Sequence, residues 1–179
     1  MKQLLFLLIF VSAPIFGQKY YTKTGVTEFK ASVDTFEPIK AINNSTSVIL
    51  NVTTGDIASL LFVKAFNFRV GLMQEHFNEN YMDSDKFPKA TFRGTFDKFD
   101  FSKFSEATTY NLKGILTIRG IEKKIETTTT LSKKEDALIM QATFSVRPED
   151  FQIKIPKIVR YKIAKTVNIY LDYVLVEKK

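Results

Sequence analysis

The stretch that decides the fold spans 138–146 and reads Leu-Ile-Met-Gln-Ala-Thr-Phe-Ser-Val. Every even-numbered residue in it is apolar, whereas Gln141, Thr143 and Ser145 place polar side chains between them. Such a period of two is typical of a β-strand with one buried face. The stretch 167–175 repeats the alternation, so the chain is predicted to contain strands with an apolar inner row.

About eight segments alternate in this way, among them 48–52, 90–96 and 125–131, and short polar turns join them. Antiparallel strands in a chain of 179 residues must hide their edges, either by closing into a barrel or by stacking as a sandwich. The interior of an eight-stranded barrel holds side chains or one small ligand. Alternation by itself leaves both architectures open.

Composition excludes several classes of function. The chain has one histidine, no cysteine and no tryptophan, which rules out a His/Cys zinc site, a cysteine nucleophile and a disulfide framework. No phosphate-binding loop or dinucleotide fingerprint occurs. No metal or other cofactor is therefore expected. The 17 phenylalanines instead indicate a large apolar interior or an apolar cavity.

The N-terminus has the pattern of a secretory signal peptide, in which a positive start at Lys2 precedes an apolar run over 4–16. We expect residues 1–17 to be removed, which leaves 18–179 as one domain. The protein would then be periplasmic or secreted, a location that speaks against nucleic acid as a partner. A buried N-terminal strand or helix is the alternative for this run.

The segment 72–89 shows no alternation and is rich in polar residues. It is predicted to form a loop with one short helical turn that lies across the barrel or its mouth. His76 in this segment could contact the phosphate or carboxylate head of a lipid, or it could anchor its own loop through backbone hydrogen bonds. The acidic residues around it lack EF-hand spacing, which favours a solvated loop over a calcium site.

Three blocks of the sequence resemble one family. Residues 76–92 contain a histidine, an acidic and aromatic segment, a Lys-Phe-Pro turn and a following strand with Thr-Phe. Residues 110–125 contain the pattern Gly-x-Leu-Thr-x-x-Gly-x-x-Lys, and residues 144–153 end in an Asp-Phe-Gln-Ile turn. In this order the blocks resemble the YceI-like family of periplasmic lipid-binding proteins.

The resemblance implies a lipocalin-like, all-β, single eight-stranded antiparallel barrel that holds a long isoprenoid or related lipid tail. Three positions depart from the usual pattern of the family. Met73 and Gln74 stand where an Arg-Asp pair is common before the histidine, and Gln152 stands where glycine is usual. If that arginine serves the polar head of the lipid, this chain binds a different head or none.

The predicted inner rows supply the candidate ligand-binding residues. A solid core would use the same side chains, and the resemblance favours a cavity instead. The candidates are Phe62, Phe66, Phe68, Phe92, Phe96, Leu116, Ile118, Met140 and Phe144, together with His76 in the loop. An enzyme that pairs His76 with Glu79 or Asp83 is a rival hypothesis. Catalysis is not expected, because no nucleophile lies near these residues in the sequence.

A basic stretch over 154–165 interleaves lysine and arginine with isoleucine and valine. It could face anionic lipid heads at a membrane surface, or it could be a solvated loop.

Taken together, the signal peptide, the alternating strands and the family resemblance predict an exported binding protein that stores or transports an isoprenoid or fatty lipid. A ligand-free structural, interaction or stress-related barrel with a solid core is the alternative. The sequence makes no prediction about the oligomeric state.

Overall fold

The computed structural model describes residues 18–32, 38–103 and 107–178. The predicted signal peptide over 1–17 lies outside the described residues. The described strands are β1 (Lys19–Ser32), β2 (Lys40–Asn51), β3 (Asp56–Phe62), β4 (Asn67–Phe68), β5 (Lys89–Phe96), β6 (Thr108–Ile118), β7 (Ile121–Lys134), β8 (Ala137–Val146) and β9 (Ile163–Glu177). One α-helix, α1 (Gly71–His76), continues into a π-helical turn at Phe77–Tyr81.

Eight of these strands close into the predicted antiparallel barrel. The order around it is β1-β9-β8-β7-β6-β5-β3-β2, and pairing of β2 with β1 completes the circle. The short strand β4 pairs with the start of β2, at Ala41 and Ile42. The all-β barrel prediction is therefore confirmed, and closure hides the strand edges that a sandwich would leave exposed.

The inner row of β3 has the opposite phase to the predicted one. Ile57 and Leu61 face the interior, which places Phe62 on the outside. A 3-10 turn at Val63–Ala65 then shifts the phase of the chain, so that Phe66 returns to the interior. The inward orientation predicted for Phe62 is wrong, because a period of two does not continue through a 3-10 turn. Phe62 is 50% exposed, and its ring centroid lies 5.5 Å from Lys89 Nζ.

One half of the barrel, here called the closed half, is filled by side chains. Leu50, Leu131, Leu138 and Leu175 are completely buried there. They belong to a cluster that also contains Tyr20, Val48, Val52, Ile57, Phe96, Tyr110, Leu112, Met140 and Tyr173. Phe96 thus faces inward as predicted but packs in the closed half. Burial on this scale supplies the main stabilisation of a chain without disulfides.

The opposite half, here called the open half, has a seam between β7 and β8. Within the described chain, these strands pair only over 129–134 and 137–142. Beyond this ladder, a 3-10 turn at Pro148–Phe151 contacts β7 and β9, and the Phe151 side chain is buried. A hydrogen bond of 2.7 Å from Arg119 Nη1 to the Gln152 carbonyl ties the turn to the β6–β7 hairpin. Side-chain packing therefore replaces the missing strand pairing at the seam.

The described ranges contain no helix that is long and apolar enough to cross a membrane. They also contain no cluster of histidine and acidic side chains that could hold a metal ion.

Candidate functional site

The open half of the barrel is hollow. It encloses a cavity of about 330 Å³, a size within the range of about 300–1,000 Å³ that is usual for small-molecule sites. Phe144, Ile169 and Leu171 line this cavity and stay partly exposed although they face the barrel interior. Almost all of the atoms on its wall are apolar. The arrangement suits a long hydrocarbon better than a polar metabolite.

The helical segment between β4 and β5 covers one end of this cavity. Met73, His76, Phe77 and Tyr81 from this segment line the wall. Phe77 packs into a group of rings with Phe29, Phe66 and Phe68, with centroid separations of 5.1–5.7 Å. Several of these pairs are edge-to-face, an arrangement that aromatic rings favour. The ring group holds the helical segment against the barrel. The predicted loop with a helical turn is therefore a helical cover.

The cavity brings together eight of the ten candidate residues. Those on its wall are Phe66, Phe68, His76, Phe92, Leu116, Ile118, Met140 and Phe144. Phe62 lies on the outer surface and Phe96 in the closed half, so neither reaches the cavity. A ligand-binding role for the eight lining residues stays a prediction.

Part of the wall comes from the basic stretch over 154–165 and the residue before it. Ile153, Ile155 and Val159 line the cavity between the turn after β8 and the start of β9. Their signal in the sequence is the alternation of Ile153 and Ile155 with Lys154. Lys154 and Lys157 are exposed, whereas the apolar residues Ile153, Ile155 and Val159 face the interior.

A small polar cluster lies where the cavity meets the closed half. Thr27 Oγ1 is hydrogen-bonded to the Tyr173 hydroxyl at 2.9 Å and to Thr46 Oγ1 at 2.8 Å. Burial raises the pKa of Tyr173 to about 12, although the bonds with the two threonines act in the opposite direction. The hydroxyl therefore stays neutral and hydrogen-bonded at ordinary pH and is not available as a base.

The mouth of the cavity is marked by its two exposed lining residues. The exposed residues of the described lining are His76 and Lys162. His76 belongs to the helical cover, and Lys162 directly precedes β9. No carboxylate occurs on the described wall, and Glu79 and Asp83 lie outside it. An acid–base pair of His76 with either carboxylate is therefore not assembled in the cavity. The mouth instead offers the imidazole of His76 and the ammonium group of Lys162 as hydrogen-bonding groups for a polar head group.

A family model identifies the domain to which this chain belongs. The model of the YceI-like domain matches residues 15–175. The chain belongs to the YceI-like family. Its resemblance to this family, carried by the blocks at 76–92, 110–125 and 144–153, is thereby confirmed.

Solved structures share the fold of this YceI-like protein. A polyisoprenoid-binding domain from Saccharophagus degradans, implicated in plant cell wall breakdown, aligns with a TM-score of 0.75 at 13% identity, over 89% of this chain and 97% of its own. BcnA from Burkholderia cenocepacia aligns with a TM-score of 0.70 at 14% identity, over 84% and 96%. The YceI protein of Campylobacter jejuni aligns with a TM-score of 0.64 at 16% identity, over 80% and 88%. No curated protein matches the chain.

Proposed function

We propose that this YceI-like protein is an exported, non-catalytic carrier that holds an isoprenoid or similar long apolar lipid inside its barrel. The observation that carries the proposal is the apolar cavity of about 330 Å³ in the open half. Residues 1–17 act as the signal peptide, and the protein works in the periplasm or outside the cell. There it stores the lipid or carries it between membranes.

The binding energy in this proposal comes from the tail of the lipid. Each CH₂ group that leaves water for an apolar cavity contributes about 0.8 kcal/mol. A tail of several isoprene units therefore binds tightly without a specific polar contact. One structural neighbour is a polyisoprenoid-binding domain, which supports the same class of ligand for this chain.

The two rival functions fit the wall less well. A ligand-free barrel with a solid core would fill both halves, whereas the open half keeps a cavity beside its own buried cluster around Phe29 and Phe66. An enzyme would need a nucleophile or an acid–base pair at the cavity. The described lining supplies His76, Lys162, two tyrosines and the hydroxyls of Thr27, Ser59, Thr91 and Thr127, but no carboxylate that would form an acid–base pair with His76.

A cavity-filling variant tests the proposal. Ile169 of β9 lines the cavity, and its neighbour Asn168 is exposed on the outer face of the same strand. We expect Ile169→Trp to lose most of the lipid that co-purifies with the wild-type protein, because the indole occupies the space of the tail. Asn168→Trp should keep it. The measurement is mass spectrometry of solvent extracts from protein purified out of its native host.

Two results would contradict the proposal. One is a wild-type extract without any apolar lipid. The other is an Ile169→Trp protein that is folded, by circular dichroism, and carries as much lipid as Asn168→Trp.

A further inference from the structure

The segment over 153–165 has an inner and an outer side, and the outer side exposes two large apolar or aromatic side chains. Ile153, Ile155 and Val159 line the cavity, whereas Ile158 is 81% exposed and Tyr161 is 58% exposed. A large aliphatic side chain gains nothing from such exposure in water. Its position beside the mouth, which Lys162 lines, points to contact with another apolar phase.

The same segment concentrates positive charge. Between 153 and 171 the chain has five basic residues and no aspartate or glutamate, the basic ones being Lys154, Lys157, Arg160, Lys162 and Lys165. None of the five forms an ion pair with any residue that the structure describes. In contrast, the nearby Arg147 is paired with Glu149 and Asp150. Arg160 Nη2 donates a hydrogen bond to the Ile155 carbonyl and Lys162 Nζ lies over the ring of Tyr161, but no carboxylate in the described ranges neutralises the charge of the segment.

We infer that the segment 153–165 is a docking surface for an anionic lipid bilayer. Ile158 and Tyr161 enter the head-group region, and the surrounding lysine and arginine side chains contact anionic lipid heads. This contact turns the mouth between His76 and Lys162 toward the membrane. The inference rests on the proposed function in one respect, because a lipid carrier gains from a mouth that faces the membrane.

The chemistry of the segment favours a bilayer over a protein partner. An anionic bilayer has a polar head-group region and, below it, the start of the acyl chains. Tyrosine and lysine side chains suit the head-group region, and an exposed isoleucine suits the boundary with the acyl chains. An acidic protein would complement the charge but gives no reason for an isoleucine that stands out from the surface. The bilayer is therefore the occupant that accounts for both features.

Flotation with vesicles tests the inference. Wild-type protein without its signal peptide is mixed with vesicles of phosphatidylcholine alone, or of phosphatidylcholine and phosphatidylglycerol in equal parts. We expect binding only to the second kind, and weakening in high salt. Ile158→Asp and the pair Lys157→Glu with Arg160→Glu should each weaken this binding by about tenfold or more.

Matched control variants are available on other surfaces. Val174 is an exposed apolar residue on the outer face of β9, and Lys133 and Lys134 are exposed at the end of β7 beside the β7–β8 turn. Val174→Asp and the pair Lys133→Glu with Lys134→Glu should bind anionic vesicles as the wild type does. Equal losses in test and control variants would overturn the inference, because binding would then depend on net charge alone.

Lipid content separates this inference from the proposed function. Ile158→Asp should keep its co-purified lipid, because the side chain does not line the cavity. Vesicle binding without any co-purified lipid would refute the carrier function and leave the docking surface intact. Wild-type protein that carries lipid but does not float with anionic vesicles would refute the docking surface alone, and capture of an acidic protein instead would do the same.

Discussion

The buried hydroxyl of Tyr173 makes the stability of the barrel depend on pH. Its ring belongs to the closed half, and its hydroxyl is hydrogen-bonded to Thr27. A phenolate in this place would lose its hydration, and burial therefore raises the pKa to about 12. An unfolded tyrosine has a pKa near 10. Above pH 10 the unfolded chain thus releases a proton that the folded chain keeps.

This difference predicts a loss of stability in alkali. The contribution of Tyr173 to the free energy of unfolding is fully present below pH 10 and is lost as the pH rises to about 12. The loss amounts to about 2–3 kcal/mol. Tyr173→Phe should be less stable at pH 8 by about 1–2 kcal/mol, because a buried hydrogen bond is lost, and its stability should fall less steeply above pH 10.

Urea unfolding at pH 8, 10 and 11.5 checks this prediction. The exposed Tyr161 supplies the control, since Tyr161→Phe should follow the wild-type pH dependence. Parallel curves for the wild type and Tyr173→Phe above pH 10 would contradict it.

At the scale of the element, two glycines on paired strands make room for the ring of a cavity residue, Phe92. Gly94 of β5 and Gly114 of β6 lie directly opposite each other. The ring of Phe92 covers this pair, and Phe92 both lines the cavity and packs on the closed half. A Cβ atom on Gly114 would stand 2.5 Å from Cζ of Phe92 and would also clash with the carbonyl oxygen of Arg93. The absence of side chains here makes room for the ring.

Gly114→Ala is therefore expected to lower the free energy of unfolding by about 1–3 kcal/mol, because strand and ring must both shift. This cost exceeds the entropic gain of about 0.4–1 kcal/mol that alanine brings through the unfolded state. Gly71→Ala in α1 is the control, since its Cβ would meet nothing within 4 Å. It should be neutral or slightly stabilising. Urea unfolding of both variants is the measurement, and equal effects would count against this account of the glycine pair.

At the scale of the whole molecule, the barrel joins a packed half to a hollow half. The closed half holds the fully buried leucines, whereas the open half has apolar side chains that remain accessible from within. A lipid in the cavity would cover these side chains only in the folded state. Binding to the folded state alone raises the stability of a protein by mass action.

Removal of the lipid should therefore lower the thermal midpoint. Bound ligand at about 100 times its Kd contributes about 2.7 kcal/mol, which corresponds to about 5–10 °C for a chain of this size. Calorimetry of native protein before and after solvent extraction is the measurement. The Ile169→Trp variant should show little change on extraction. An extracted wild-type protein with an unchanged midpoint would speak against a ligand in the cavity.

The elements with strict alternation could be predicted from the sequence, and the breaks in alternation could not. The stretch 138–146 behaves as expected, with Met140 and Phe144 on the cavity wall. Phe62 lies outside because the 3-10 turn after it resets the phase, and such a turn leaves no period in the sequence. The inward orientation of the apolar residues in 153–159 could not be predicted, because exposed lysines interrupt their alternation.

The sequence by itself determined the class of fold, because a period of two sorts side chains onto two faces regardless of what lies beyond the strand. It also determined the family, through motifs that recur in a fixed order. Only the tertiary structure decided which part of the inner row is packed and which lines a cavity. Phe96 and Phe144 follow the same pattern, yet one lies in the closed half and the other on the cavity wall. The difference depends on what stands opposite each residue across the barrel, and residues distant in the chain determine that.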